Sequence, residues 1–242
     1  MEKFFFIENR KYSVNDNLEL VGDEHNHLAY VVRCKVNEKV VCLPNDGRLL
    51  FCTIMSIQKN KTILRLDKIE NNLNDAMKKV TCFIGMPKSD KFEFLIQKLT
   101  EIGVDTIIPF TSEFVEKIPN ADRSDRYNKI AREACKQCRR SKIINVGKII
   151  SFDEMLKMIS SYDKTIFCYE KSGGTTISDC VSMSDENVAY IVGCEGGFSD
   201  KEADEIVASG ALKITVGKRI LRAETAGLVC GALIMEYLGE LK

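Results

Sequence analysis

Two stretches of this chain hold the residues whose types and spacing could do chemistry. The first is Gly193-Cys-Glu-Gly-Gly-Phe-Ser199 and the second is Gly217-Lys-Arg-Ile-Leu-Arg-Ala-Glu224. Each is a glycine-bearing loop that follows a short apolar run and leads into a helical pattern. Backbone without side chains at the carboxyl end of a strand lets a ligand touch bare amides and carbonyls, and open α/β sheets bind ligands there. A glycine or two serves any strand-to-helix turn. Two such loops on consecutive strands, the second carrying Arg-Ile-Leu-Arg-Ala-Glu, point instead to a binding site. Neither loop is G-x-G-x-x-G or G-x-x-x-x-G-K-[ST], so a dinucleotide or P-loop site is not supported.

The flanking elements must hold these loops in place. Val188–Val192 and Leu212–Val216 are apolar runs of strand length, and Ser199 with Glu202 has capping-box spacing for a helix start. A long apolar helix is expected from about Glu224, and its Ala226, Leu228, Val229, Ala232, Leu233, Met235 and Leu238 would bury more than one face. Upstream, Val80–Ile84 reads as a strand. Asp90 and Glu93 form a second capping-box pattern, and Phe92, Leu95, Ile96, Leu99 and Ile102 repeat on one helical face up to Gly103. Val104–Phe110, Ile143–Ile150 and Lys164–Tyr169 are further strands, with a helix from Asp153 to about Ser160. Glu170 ends a strand and either binds a ligand or caps a turn. Strand and helix in alternation argue for a parallel sheet with covering helices.

Residues before about Ile69 differ. Lys39-to-Ile54 is two apolar runs around Asn45-Asp46-Gly47, a hairpin signal, and Lys61–Ile69 alternates at period two. Glu24–Arg33 reads as a helical turn. A small β-barrel is the natural closure for such strands, and the polar stretch Glu70–Asp75 marks the boundary, giving domains 1–72 and 73–242.

With 45% hydrophobic and 29% charged residues the chain has the composition of a soluble globular protein. No apolar run is long enough to span a bilayer, and the apolar part of Met1–Glu8 is too short for a signal peptide, so a cytoplasmic location is expected. The formal net charge is zero, but residues 121–148 hold nine Lys/Arg against three Asp/Glu, while residues 149–210 hold four against twelve. The basic block is a candidate for a phosphate backbone. It centres on a helix expected over Asp122–Arg140, whose Arg126, Lys136, Arg139 and Arg140 lie largely off the apolar stripe; the alternative is a solvated face. The ten cysteines fit neither a disulfide nor a zinc framework. Only Cys135 and Cys138 are C-x-x-C spaced, and two histidines are too few to complete a site, so the cysteines are expected to pack and no metal is expected.

Gly193-Cys-Glu-Gly-Gly-Phe-Ser199 together with Leu221-Arg-Ala-Glu-Thr-Ala226 resembles the RsmE family. Lys88-Ser-Asp-Lys91, Gln97–Gly103, Glu133–Arg140 and His27-Leu-x-x-Val-Val-Arg33 are similar to its pattern as well, so the likeness runs along most of the chain. Cys194 stands where the family usually has proline and Asn37 where it usually has glycine.

The resemblance implies a SPOUT-type α/β domain with a parallel sheet and a C-terminal trefoil knot, preceded by a PUA-like RNA-binding β-barrel. It implies a homodimer and an S-adenosyl-L-methionine-dependent methyltransferase acting on N3 of a uridine in small-subunit ribosomal RNA, with the assembled subunit as a partner. Gly193, Glu195, Gly196, Gly197, Val216, Gly217, Ile220, Leu221 and Ala226 would hold the cofactor. Arg222 would stabilise the anionic base, and Glu224 would orient Arg222 or meet the cofactor. Arg33, Arg126, Lys136, Arg139 and Arg140 would contact RNA, although Arg33 read alone is a solvated charge. Two other readings stand beside this one: a SPOUT methyltransferase with a different RNA target, and a non-enzymatic ribosome-binding protein of the same fold.

Overall fold

A computed structural model describes residues 2–115, 123–169 and 175–241. Glu170 and the expected helix start at Asp122 lie outside the described residues. The chain divides into two compact units, residues 1–75 with 135–143, and residues 76–134 with 144–242.

In the first unit, β1 (Phe4–Phe6), β2 (Asn17–Val21), β3 (Lys39–Leu43), β4 (Arg48–Ile57) and β5 (Lys61–Asn71) form one sheet in the order β1-β3-β4-β5-β2. The β3–β4 hairpin turns through Asn45 and Gly47, both left-handed at φ 62° and 96°, as the Asn-Asp-Gly signal requires. Two register shifts between β4 and β5 bend the sheet, and its concave face closes over Phe5, Leu18, Leu20, Leu28, Leu50, Ile54 and Leu64. Helix α1 (Gly22–Asn26) runs into a π-helical turn, His27–Val31. Asn37 holds φ 71°, a conformation that suits asparagine after glycine.

Residues 139–143 are sewn onto this unit by side chains. The Asp75 carboxylate accepts the Ser141 and Lys142 amides at 2.9 and 3.2 Å, and Asn45 accepts the Ile143 amide at 2.8 Å. Asn72 donates to the Arg139 carbonyl at 2.9 Å. Cys135 packs with Phe6, Val41 and Leu43.

The second unit is a six-stranded, wholly parallel sheet. Its strands are β6 (Lys79–Gly85), β7 (Thr106–Phe110), β8 (Asn145–Val146), β9 (Lys164–Cys168), β10 (Asn187–Val192) and β11 (Leu212–Ile214), in the order β11-β9-β10-β6-β7-β8. From β6 the chain first winds outward through β7 and β8, then returns on the other side. The order therefore reverses between β6 and β10. Helices α2 (Ser89–Glu101), α3 (Ser124–Cys138), α4 (Phe152–Met158), α5 (Asp200–Ala208) and α6 (Ala223–Tyr237) connect or follow the strands. Residues 124–134 of α3 belong to this unit, and 135–138 to the first.

Strand β10 is covered on both faces, which is why its sequence is continuously apolar rather than alternating. Ala189 and Ile191 pack with Phe83, Phe167, Phe198 and Ile206 on one face. On the other, the buried Tyr190 hydroxyl donates to the Gly227 carbonyl of α6 at 2.9 Å. Glycines let α6 come this close. A Cβ on Gly231 would lie 2.8 Å from the Tyr190 hydroxyl, and one on Gly227 would lie 3.1 Å from Leu95 of α2.

Three local expectations are corrected. The Asp90/Glu93 spacing does not cap α2; Lys88 holds the N-cap position without a side-chain cap, and Asp90 sits inside the first turn. There its charge still meets the positive end of the helix dipole. The Ile143–Ile150 strand is reduced to Asn145–Val146 and an isolated Phe110–Ile150 bridge. The second site strand stops at Ile214, so Thr215 and Val216 belong to the loop.

Candidate functional site

A cavity of about 480 Å³ opens at the carboxyl ends of β9, β10 and β11, beside the reversal of strand order. Its volume is in the range of small-molecule sites, and its place is where doubly wound sheets bind ligands.

One wall is the loop after β10. Cys194 to Gly197 make a tight turn, closed by the Gly197 amide donating to the Cys194 carbonyl at 2.9 Å, and Gly197 is left-handed at φ 71°. Its neighbours leave no room for side chains. A Cβ on Gly193 would meet the Phe198 ring at 2.9 Å, and one on Gly196 would meet Phe114 Cβ at 2.7 Å. Beneath the turn, a Cβ on Gly85 would lie 2.4 Å from the Cys194 nitrogen, so the end of β6 supports the loop backbone directly. The loop's exit is fixed by a reciprocal cap: Ser199 accepts the Glu202 amide at 3.3 Å, and Glu202 accepts the Ser199 amide at 3.0 Å. The second oxygen of the buried Glu202 accepts the Glu113 amide at 2.8 Å, tying the loop after β7 to the same cap.

The facing wall is the loop after β11. Gly217 is left-handed at φ 110°, and the Thr215 hydroxyl donates to its carbonyl at 3.2 Å. Val216, Gly217, Ile220, Leu221 and Ala226 all line the cavity, as do Gly193, Glu195, Gly196 and Gly197. All nine residues singled out for a cofactor thus face one space. Arg222, exposed, lines it too.

Lys91, on the first turn of α2, joins the two loops. Its Nζ lies 3.2 Å from Glu195 and 3.4 Å from Glu224. Partial burial works against ionisation of Glu195, but its own amide and the Lys91 ammonium outweigh that effect and hold the carboxyl below its usual range. The hydrogen bond to Glu195, helped by the charges of Glu224 and Glu195, outweighs desolvation and raises Lys91 above the ordinary lysine value. Glu224 therefore reaches Lys91 rather than Arg222, and its Oε2 is buried with no hydrogen bond among the described residues. The glycine cradle, the cavity and two carboxylates sharing one ammonium suit a cationic ligand of cofactor size. Lys91 was visible in sequence only as part of a motif; its bridging role depends on α2 meeting both loops.

The basic residues are scattered. Lys136 Nζ is 3.1 Å from Glu24 and 3.3 Å from His27 Nδ1, and its side chain is only 9% exposed. Arg140 is buried at 5% exposure. Arg126 is exposed but bonds Glu93 at 2.5 and 2.7 Å. Arg33 and Arg139 are exposed, both with left-handed backbone at φ 56° and 65°. The side chains of Lys136 and Arg140 are thus engaged in the first unit's interior, not displayed for a polyanion. No group of three or more His, Cys, Asp and Glu able to hold a metal occurs among the described residues, and none of their helices is long and apolar enough to cross a membrane.

Comparison with known proteins gives a concordant result. The family model for an RNA methyltransferase domain matches residues 73–235. The ribosomal RNA small subunit methyltransferase E of Bacillus subtilis is 30% identical, with 98% of this chain and 97% of that protein aligned. Two solved structures share the fold along 98% of both chains. One is a ribosomal RNA small subunit methyltransferase E from Neisseria gonorrhoeae bound to S-adenosyl methionine, with a TM-score of 0.89 at 24% identity. The other is a methyltransferase from Legionella pneumophila in complex with the same cofactor, with a TM-score of 0.88 at 22% identity.

Proposed function

The chain belongs to the ribosomal RNA small subunit methyltransferase E family, and we propose that it transfers a methyl group from S-adenosyl-L-methionine to N3 of a uridine in small-subunit ribosomal RNA. The observation that carries this reading is the convergence of both glycine loops on one cavity with Arg222 at its edge. Bound there, the cofactor supplies an electrophilic methyl group on a sulfonium. Backbone groups of Gly193, Glu195, Gly196, Gly197, Val216, Gly217, Ile220 and Leu221, with Ala226 behind them, would hold it. The Lys91–Glu195–Glu224 cluster carries one positive and two negative charges, a net negative wall that suits a cation. Holding donor and acceptor in line supplies several kcal/mol of barrier reduction. The uridine must lose its N3 proton, and Arg222 would stabilise the resulting anionic base.

In this reading the first unit is a PUA-like RNA-binding domain, with the exposed Arg33 and Arg139 among its RNA contacts; Arg126, on α3 in the second unit, is a further exposed cation. The exposed Leu233 and Tyr237 of α6 support a homodimer, the last helix threads a knot, and the enzyme works in the cytoplasm. The direct test is methylation of small-subunit RNA, naked and as assembled subunits, followed by digestion to nucleosides. N3-methyluridine at one position is the expected product. A different methylated nucleoside would move the proposal to another RNA target, and no methyl transfer to either substrate would reject it.

A further inference from the structure

We propose that Lys218 and Arg219 are substrate-positioning residues that grip backbone phosphates of the RNA at the mouth of the cavity. The inference rests on the methyltransferase reading and adds to it a place where the polyanion is held. Lys218, Arg219 and Arg222 lie within five residues of one loop, all are exposed, and all line the cavity. None of the three side chains has an ion-pair or hydrogen-bond partner among the described residues. Unpaired like charges this close repel one another, and the arrangement is relieved by an arriving anion.

The loop is built to hold them out. Gly217 is left-handed with open space around it, and the Thr215 hydroxyl pins its carbonyl. Ile220, between the cations, is 85% exposed and gives an aliphatic surface against which an unstacked base can rest. Three cations outside this loop are committed: Lys136 to Glu24, Arg126 to Glu93 and Lys91 to two carboxylates. With a formal net charge of zero the chain has no general pull on RNA, so local unpaired cations decide where phosphates settle. Phosphates gripped at this rim keep the target base beside the cofactor cavity, whereas contacts elsewhere fix only overall register. A cofactor carboxylate is a smaller claimant, because one carboxylate does not use two rim cations.

The test compares the parent, Lys218→Ala/Arg219→Ala, and the charge-keeping swap Lys218→Arg/Arg219→Lys. Each is assayed by calorimetry with S-adenosylmethionine, by co-sedimentation with small ribosomal subunits lacking the modification, and by methyl transfer to those subunits over a series of potassium chloride concentrations. The expected result for the alanine pair is unchanged cofactor affinity, a KM for subunits raised about tenfold or more with kcat within about threefold, and a salt slope flatter by about 1.4, at roughly 0.7 per single-strand phosphate contact. The swap should restore the KM and the slope. A parent-like KM, co-sedimentation and slope in the alanine pair would overturn the inference, as would loss of cofactor binding, which would assign these cations to the cofactor. If the parent itself transferred no methyl group but co-sedimented through these cations, the methyltransferase reading would fail and the phosphate grip would stand.

Discussion

One ammonium serving two carboxylates sets the electrostatics of the site. Lys91 is the sole cation within ion-pair distance of Glu195 and Glu224 among the described residues. Lys91→Met should leave both carboxylates uncompensated, shift the loops they anchor and weaken S-adenosylmethionine binding about tenfold, the scale of one hydrogen bond to a charged group. Lys91→Arg should retain most of the affinity; calorimetric titration of the two variants checks this. The pH window follows from the directions of shift. Glu195 is depressed below its ordinary 4.5, so its contribution is present above that value and lost as pH falls through the lower folded value. Lys91 is raised above its ordinary 10.5, so its contribution is present below that value and lost as pH rises through the higher folded one. The stability difference between parent and Glu195→Gln, from thermal melts, should be level between about pH 5 and 10 and should shrink on the acid side. Arg222→Ala should lower kcat about 10²-fold or more, with cofactor affinity held, because its charge is needed when the base becomes anionic.

At the scale of elements, the glycine loops work because their neighbours are rigid. Glu202 holds the Ser199 cap with one oxygen and the Glu113 amide with the other. Glu202→Ala therefore orphans donors on two loops and should cost about 2 kcal/mol or more in denaturant unfolding, along with cofactor affinity. Gly231→Ala should destabilise by about 1–3 kcal/mol through overpacking against the Tyr190 hydroxyl 2.8 Å away. Much at this scale was legible in the sequence. The glycine runs, the Ser199/Glu202 box and the period of α2 are local signals, and each has its expected structure. What was not legible depends on distant partners. Lys136 lies off the apolar stripe of its helix and so reads as an RNA contact or a solvated charge, yet Glu24 takes its charge. The Asp90 spacing imitates a cap that the chain does not use, because the helix has already begun at Ser89. Lys91 gained its role only when α2 met both loops. Lys218 and Arg219 lay in the motif, but sequence cannot show that a cation lacks a partner.

Over the whole molecule, opposed charge blocks cancel, so binding of RNA depends on which cations remain uncommitted rather than on net charge. The parallel sheet reverses its strand order beside the cavity, and two glycine-bearing loops line it there. Cofactor binding at that place is the central claim. The most direct measurement is calorimetric titration of S-adenosylmethionine into the parent and into Gly196→Val, with circular dichroism to verify that both are folded. A Cβ at position 196 already lies 2.7 Å from Phe114, and a branched side chain intrudes further on the wall. The account predicts saturable binding to the parent, with affinity lost or reduced at least about 100-fold in the folded variant. Equal binding by the two would contradict the placement of the cofactor on this loop, and no binding by a folded parent would contradict the methyltransferase itself.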